Sequence, residues 1–155
     1  MTDTAQRFEP HDPQYAERVR ASFGRQAAMA TIGASLARIA PGEVEVVLDW
    51  APHLTQQHGF LHGGMLCAAL DSACGYAAST LMAADVGVLS VELKTSFLAP
   101  ARGQRFRMVG SVVKAGRTLS FVEGRAYAID GGREKLVATM NTTLMAVAGR
   151  DDIKH

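Results

Sequence analysis

A single carboxylate, Asp71, lies among Leu66, Ala69, Leu70, Ala73 and Ala77, in a stretch (63–84) that carries no other charge. Removing a carboxylate from water disfavours its charged form, so burial there would raise its pKa unless a partner or water compensates. Two readings follow. Asp71 could be a structural group hydrogen-bonded to a backbone or to Ser72, or it could be a general base or nucleophile. Upstream, Gly63 and Gly64 open the same stretch, directly after a loop carrying Gln56, Gln57, His58 and His62. The first N–H groups of a helix have no intrahelical partner, and the macrodipole makes that end positive. An oxyanion could sit there. A carboxylate and a polarising N–H donor together are equipment for adding water, or the carboxylate itself, to a carbonyl.

Spacing constrains how they could cooperate. If 63–84 is one helix, Gly63 and Asp71 are separated by about 12 Å along its axis. A donor and a base must both lie about 3 Å from one reacting carbonyl or its water. One helix is therefore not enough. Two chains with these helices antiparallel would bring the Gly63 end of one to Asp71 of the other, as a two-fold interface permits. The expectation is at least a homodimer with composite sites.

Other residues are weaker candidates. Arg102, Arg105, Arg107, Lys114 and Arg117 form a local basic excess that could meet a phosphate-bearing ligand or could be a solvated strand face. His53, His58 and His62 have no Cys or carboxylate between them, so no metal site is expected. His62 reads as a residue that fixes the loop. Met65, Met82, Phe97 and Phe121 could line an apolar ligand pocket or be plain core.

These residues need elements to hold them. Over residues 14–30, Tyr15, Val19, Phe23, Ala27 and Ala30 recur at three and four, which predicts one amphipathic helix after a loose lead-in. Residues 34–39 and 43–50 predict a hairpin across Pro41-Gly42. The loop 51–62 runs into the apolar helix 63–84. Strands follow at 88–98, 104–115, 119–129 and 135–148, divided by glycine-bearing turns that favour antiparallel pairing. A helix apolar all the way round must be enclosed on most sides. A five- to six-stranded antiparallel sheet curling around it gives an α+β architecture. The units are a lead-in and helix (1–30), a main domain (31–148) and a charged tail (149–155).

With 48% hydrophobic and 20% charged residues the chain is too apolar to be disordered, and a net charge of +1 excludes a strongly basic nucleic-acid binder. Cys67 and Cys74, about 10 Å apart along one helix, cannot form a disulfide. The N-terminus shows no secretory pattern, so a cytoplasmic address is expected. A membrane span over 63–84 is disfavoured by the central Asp71 and by the abundance of Ala, Gly and Ser.

The run from Gln56 to Gly64, the Asp nine positions after His62, and Leu89 to Lys94 leading into Phe97-Leu98-Ala99-Pro100-Ala101-Arg102-Gly103 resemble the PaaI-type hotdog thioesterases, over roughly residues 30–147. The resemblance implies a hotdog fold, a dimer through a continuous sheet, often doubled to a homotetramer, and hydrolysis of acyl-coenzyme A thioesters without metal or cofactor. It makes Asp71 the base or nucleophile and Gly63 the N–H donor. Gln56 would orient water or substrate, and Ser90 would help hold the attacking water. His62, Gly64, Arg102, Lys114 and Arg117 would border the substrate. The polar residue that some relatives carry four positions after the carboxylate is Gly75 here. Two rival readings remain, a hotdog dehydratase or hydratase and a non-catalytic module that binds acyl-coenzyme A.

Overall fold

The computed structural model describes residues 8–153. The first residues of the lead-in, on which the cytoplasmic expectation rests, and the last two of the tail lie outside them. Two short helices come first: α1 (Tyr15–Gly24) buries Val19 and Phe23, and α2 (Ala27–Ile32) buries Met29 and Ile32. The single helix expected over 14–30 is thus corrected, because the chain breaks at Arg25 and Gln26, where Gln26 is extended with ψ of 91°. Phe23 and Met29 would lie about 120° apart around a continuous helix, too far apart to share one narrow buried stripe. The break lets both reach the core, while Ala27 and Ala30 are exposed.

The expected hairpin follows as β1 (Ser35–Ala40) and β2 (Glu43–Asp49), and β2 buries Val44, Val46 and Leu48 on one face. After α3 (Gly63–Ser79) come β3 (Gly87–Phe97), β4 (Arg105–Ala115), β5 (Leu119–Asp130) and β6 (Arg133–Val147). The six strands form one antiparallel sheet in the order β1-β2-β4-β5-β6-β3. This is the α+β hotdog arrangement that the resemblance implies, with α3 held in the curve of the sheet.

The sheet comes unusually close to α3 at its middle. Gly110 of β4 and Gly124 of β5 are cross-strand partners. A Cβ on Gly110 would lie 2.5 Å from the Ala73 carbonyl oxygen, and one on Gly124 would lie 2.9 Å from Cys74 Sγ. Small residues on the helix, such as Ala73, allow this approach. The sheet contributes as much, by losing its own side chains at the crossing point.

Enclosure is incomplete on one side. Cys67, Ala68, Asp71 and Gly75 form a half-buried stripe along α3. The expected full burial of Asp71 is therefore corrected. The physical reason is that the sheet ends on this side at β3, an edge strand that runs along the stripe and leaves Leu89, Val91 and Leu93 between 42% and 54% exposed.

The other end of α3 is tied to the N-terminal helices. The helix stops at Ser79 rather than continuing to 84, and no helix among the described residues is long and apolar enough to cross a membrane. Arg18, with its side chain 9% exposed, donates to Ser79 Oγ (3.2 Å), the Ser79 carbonyl (3.2 Å) and the Met82 carbonyl (3.0 Å). It thereby satisfies carbonyls that a helix C-terminus leaves orphaned and places a cation at the negative end of the dipole. Asp12 holds the same guanidinium at 2.9 Å.

Replacing Arg18 with Met should lower stability by about 2 kcal/mol, the scale of hydrogen bonds to a charged group, measured as a lower urea midpoint at unchanged m. The Arg18 hydrogen bond, and then that from the Gln14 N–H, hold the Asp12 carboxyl below its ordinary 3.8. Its contribution is therefore complete above that value and is lost as pH falls through the depressed one. Asp12→Asn should flatten the acid limb of the stability profile, and an unchanged limb would show that the pair does not contribute.

Candidate active site

The loop before α3 is ordered by its own hydrogen bonds. Pro52–Leu54 form a 3-10 turn, Thr55 bridges Leu61, and the His62 N–H donates to the Leu54 carbonyl at 2.9 Å. Trp50 Nε1 donates to the Gly59 carbonyl at 3.1 Å, and the Leu61 N–H donates to the Ala101 carbonyl, fastening the loop to the connection after β3. Gln56 is part of this scaffold. Its N–H donates to the Phe60 carbonyl, and its Oε1 accepts from the His58 N–H. Its side-chain NH2 has no hydrogen-bond partner among the described residues.

His62 is the N-cap of α3, and its Nδ1 accepts from the Gly64 N–H at 2.8 Å. An accepting Nδ1 places the imidazole proton on Nε2. The Met65 and Leu66 N–H groups both donate to the His62 carbonyl. Of the first four N–H groups of the helix, the Gly63 N–H is the one left without an acceptor among the described residues. It opens on a cavity of about 570 Å³ lined by Gln56, Phe60, Gly63, Leu66, Phe97 and Ala101. A Cβ on Gly63 would lie 2.9 Å from the Phe97 ring, so a side chain there would have to displace that ring.

Asp71 sits further along the open stripe. Ser90 Oγ donates to Asp71 Oδ1 at 2.8 Å. A bulge positions it: Ser90 pairs with Leu144 and Glu92 with Thr143, so Val91 is the extra residue. Without that residue the period-two alternation of β3 would present its side chains in another phase. Ser72, the structural partner considered for Asp71, instead donates to Gln26 Oε1 at 3.1 Å. Gln26, Asp71, Ser72, Gly75, Ser90 and Leu144 line a second, smaller cavity of about 120 Å³. Sequence reasoning missed Gln26, because a continuous helix over 14–30 gave it no special place.

Cys74, next to this cavity, is fully buried, and burial followed by the nearby Asp71 charge pushes its thiol well above the ordinary value. It is a protonated core residue, not a nucleophile.

The basic residues separate. Arg102 is at the Gly63 end, its guanidinium carbon 5.5 Å from the centre of the Phe60 ring. Arg105 pairs with Asp49, and Arg107 pairs with Glu134 and Glu45 over the Tyr127 ring. Lys114 and Arg117 are exposed at the far end, where Arg117 borders a cavity with Ala78, Leu81 and Met82. A helix as long as α3 (17 residues) spans about 25 Å, so one chain does not gather these cations into one patch. Of the apolar candidates, Phe97 lines the Gly63 cavity, Met82 belongs to the far end, and Phe121 is exposed. His53, His58 and His62 do not come together with other ligands, since no group of three or more His, Cys, Asp or Glu assembles among the described residues.

Comparison with known proteins places this geometry. The model of the thioesterase superfamily matches residues 58–135, a span that holds His62, Gly63, Asp71 and Ser90 but not Gln26. A thioesterase family protein of Silicibacter pomeroyi is 52% identical, with a TM-score of 0.86 over 87% of this chain and 99% of that one. A Saccharolobus solfataricus protein named as an esterase is 32% identical over 111 residues, 72% of each chain. The E. coli PaaI protein, at 17% identity and a TM-score of 0.77 over 88% of this chain and 95% of its own, shares the fold. The chain belongs to the thioesterase superfamily and is a hydrolase acting on thioesters.

Proposed function

We propose that the chain hydrolyses acyl-coenzyme A thioesters in the cytoplasm, as a homodimer doubled to a tetramer, at sites shared between two protomers. The observation that carries this reading is the Gly63 N–H, a donor left without an acceptor at the mouth of a cavity, about 12 Å along the helix axis from Asp71. Within one chain the two groups are too far apart to act on one carbonyl. Pairing of two β3 edges in antiparallel fashion would extend the sheet, cover Leu89, Val91 and Leu93, and bring the Asp71 stripe of one protomer to the partner's Gly63.

In this reading the thioester carbonyl oxygen accepts from the partner's Gly63 N–H, and charge developing on that oxygen is stabilised by the positive helix end. Asp71 either removes a proton from water as it adds to the carbonyl carbon or adds to it directly. Ser90 holds Oδ1 and leaves Oδ2 for the reaction. The carbon–sulfur bond then breaks. In the water route coenzyme A departs as its thiol with the proton Asp71 removed, and the acyl group leaves as the acid. In the direct route the thiolate takes a proton from solvent, and water then hydrolyses the anhydride on Asp71 to release the acid. His62 contributes by holding the Gly64 N–H, so the donor at 63 keeps its direction. Gln56, with its carbonyl engaged in the loop, offers its NH2 to substrate or water. Arg102 takes a nucleotide phosphate near the Gly63 cavity, and Lys114 and Arg117 of one protomer serve the site from the other end of the helix.

Asp71→Asn should lower kcat/KM for acyl-coenzyme A by about 10²–10⁴-fold with the fold retained by circular dichroism; turnover near wild type would sink the assignment. A mixing experiment tests the shared site. When an Asp71→Ala chain and a Gly63→Pro chain, each inactive, are co-expressed, half the dimers are mixed and each has one intact site, so about a quarter of wild-type activity should return. No recovery would place both groups of a site in the same chain. For Arg102→Ala, KM should rise for acyl-coenzyme A with little change in kcat, and the effect should vanish with acyl-N-acetylcysteamine, which has no nucleotide. An equal rise with both substrates would remove Arg102 from phosphate binding.

A further inference from the structure

The small cavity beside Asp71 is not accounted for by the steps above. It begins at the reacting carboxylate, so one arm of the thioester must enter it. The coenzyme A arm cannot, because a cavity of about 120 Å³ is smaller than one of about 150 Å³ that holds a single benzene. The acyl arm remains. Two features shape its far wall. Gly75, one turn beyond Asp71, leaves the helix bare there, and a Cβ added to it would meet nothing within 4 Å. Across from it stands Gln26, brought in by the break between α1 and α2.

Gln26 is held as a preorganised group. Its backbone N–H donates to the Phe23 carbonyl, and its own carbonyl accepts from the Met29 and Ala30 N–H groups. The side-chain oxygen is fixed by Ser72, itself 8% exposed. With the oxygen engaged, the amide presents an NH2 that has no hydrogen-bond partner among the described residues. A donor fixed at one end and open at the other discriminates between ligands that carry an acceptor and those that do not.

We propose that this cavity is the acyl subsite, and that Gln26 selects short acyl groups, smaller than one six-membered ring, that carry an oxygen acceptor near their end. The inference rests on Asp71 being the reacting carboxylate and adds the class of acyl group. It gives the N-terminal helices, which lie outside the span shared with the superfamily model, a part in specificity.

The test uses the full chain and three substrates, 3-hydroxybutyryl-, butyryl- and decanoyl-coenzyme A, with acetyl-coenzyme A added for the second variant and thiol release as the readout. Wild type should favour 3-hydroxybutyryl over butyryl and discriminate against decanoyl. Gln26→Leu keeps the volume and removes the donor. It should lower the hydroxybutyryl-to-butyryl ratio of kcat/KM by about five- to tenfold, the worth of one neutral hydrogen bond. A merely structural role for Gln26 would lower all three substrates together, and an unchanged ratio overturns the proposal. Gly75→Ala gives a second handle if Gln26→Leu folds poorly, since an alanine in a helix interior is favoured over glycine and its methyl has room. It should reduce the butyryl-to-acetyl ratio at least about threefold by occupying the subsite; an unaltered ratio would place the acyl group elsewhere. Asp71→Asn separates the two levels. If that variant is inactive while the Gln26 and Gly75 ratios stay at wild type, the subsite fails and the catalytic reading stands. If Asp71→Asn keeps wild-type turnover, both fail.

Discussion

At the centre of the molecule the backbone of α3 touches the sheet. Gly110 and Gly124, paired across β4 and β5, meet Ala73 and Cys74 at distances that leave no room for a methyl group. Dispersion and apolar burial are both short-ranged, so this contact sets how deeply the helix sits and therefore which of its faces can be covered. With Ala69, Ala73 and Ala77 turned into the curve of the sheet, the remaining stripe of Cys67, Ala68, Asp71 and Gly75 faces the side where the sheet ends. The half-exposure of Asp71 follows from that contact.

Along the same stripe β3 runs beside the helix, and the contacts repeat at nearly helical spacing: Phe97 at Gly63, Thr95 at Cys67 and Ser90 at Asp71. One edge strand thus shapes both ends of the chemistry. It shields the N-terminal donor with an aromatic ring and anchors the carboxylate with a hydroxyl. The same strand exposes apolar side chains and unpaired backbone groups, which single sheets normally avoid. Pairing with a second copy of the chain, as proposed, would cover both at once.

The N-terminal helices form a further layer of control. Arg18 closes the C-terminal end of α3, and six residues on from the last buried position of α1 the chain has turned enough to bury Met29. The extended residue in that turn is Gln26, whose side chain reaches the cavity of Asp71. A device needed for packing also places an amide beside Asp71.

Much of this was legible in the sequence. Period-two and period-3.6 patterns located the six strands and the apolar helix, since side-chain direction along a strand or helix is a local property. Asp71 was visible as a lone charge in an apolar run, and the Gly63-Gly64 start after His62 marked a helix end. The match to Ser90 came from resemblance, and its hydrogen bond to Asp71 depends on a bulge at Val91 that no local rule announces. Tertiary structure alone decided that His62 takes the Gly64 N–H and leaves that of Gly63 over, that Ser72 turns to Gln26 instead of Asp71, and that Arg102 and Arg117, on either side of β4, part to opposite ends of α3. Each of these is a choice among partners, often distant in the chain. Their outcome is set by how closely the sheet and helix pack, which residue types in order do not encode one position at a time.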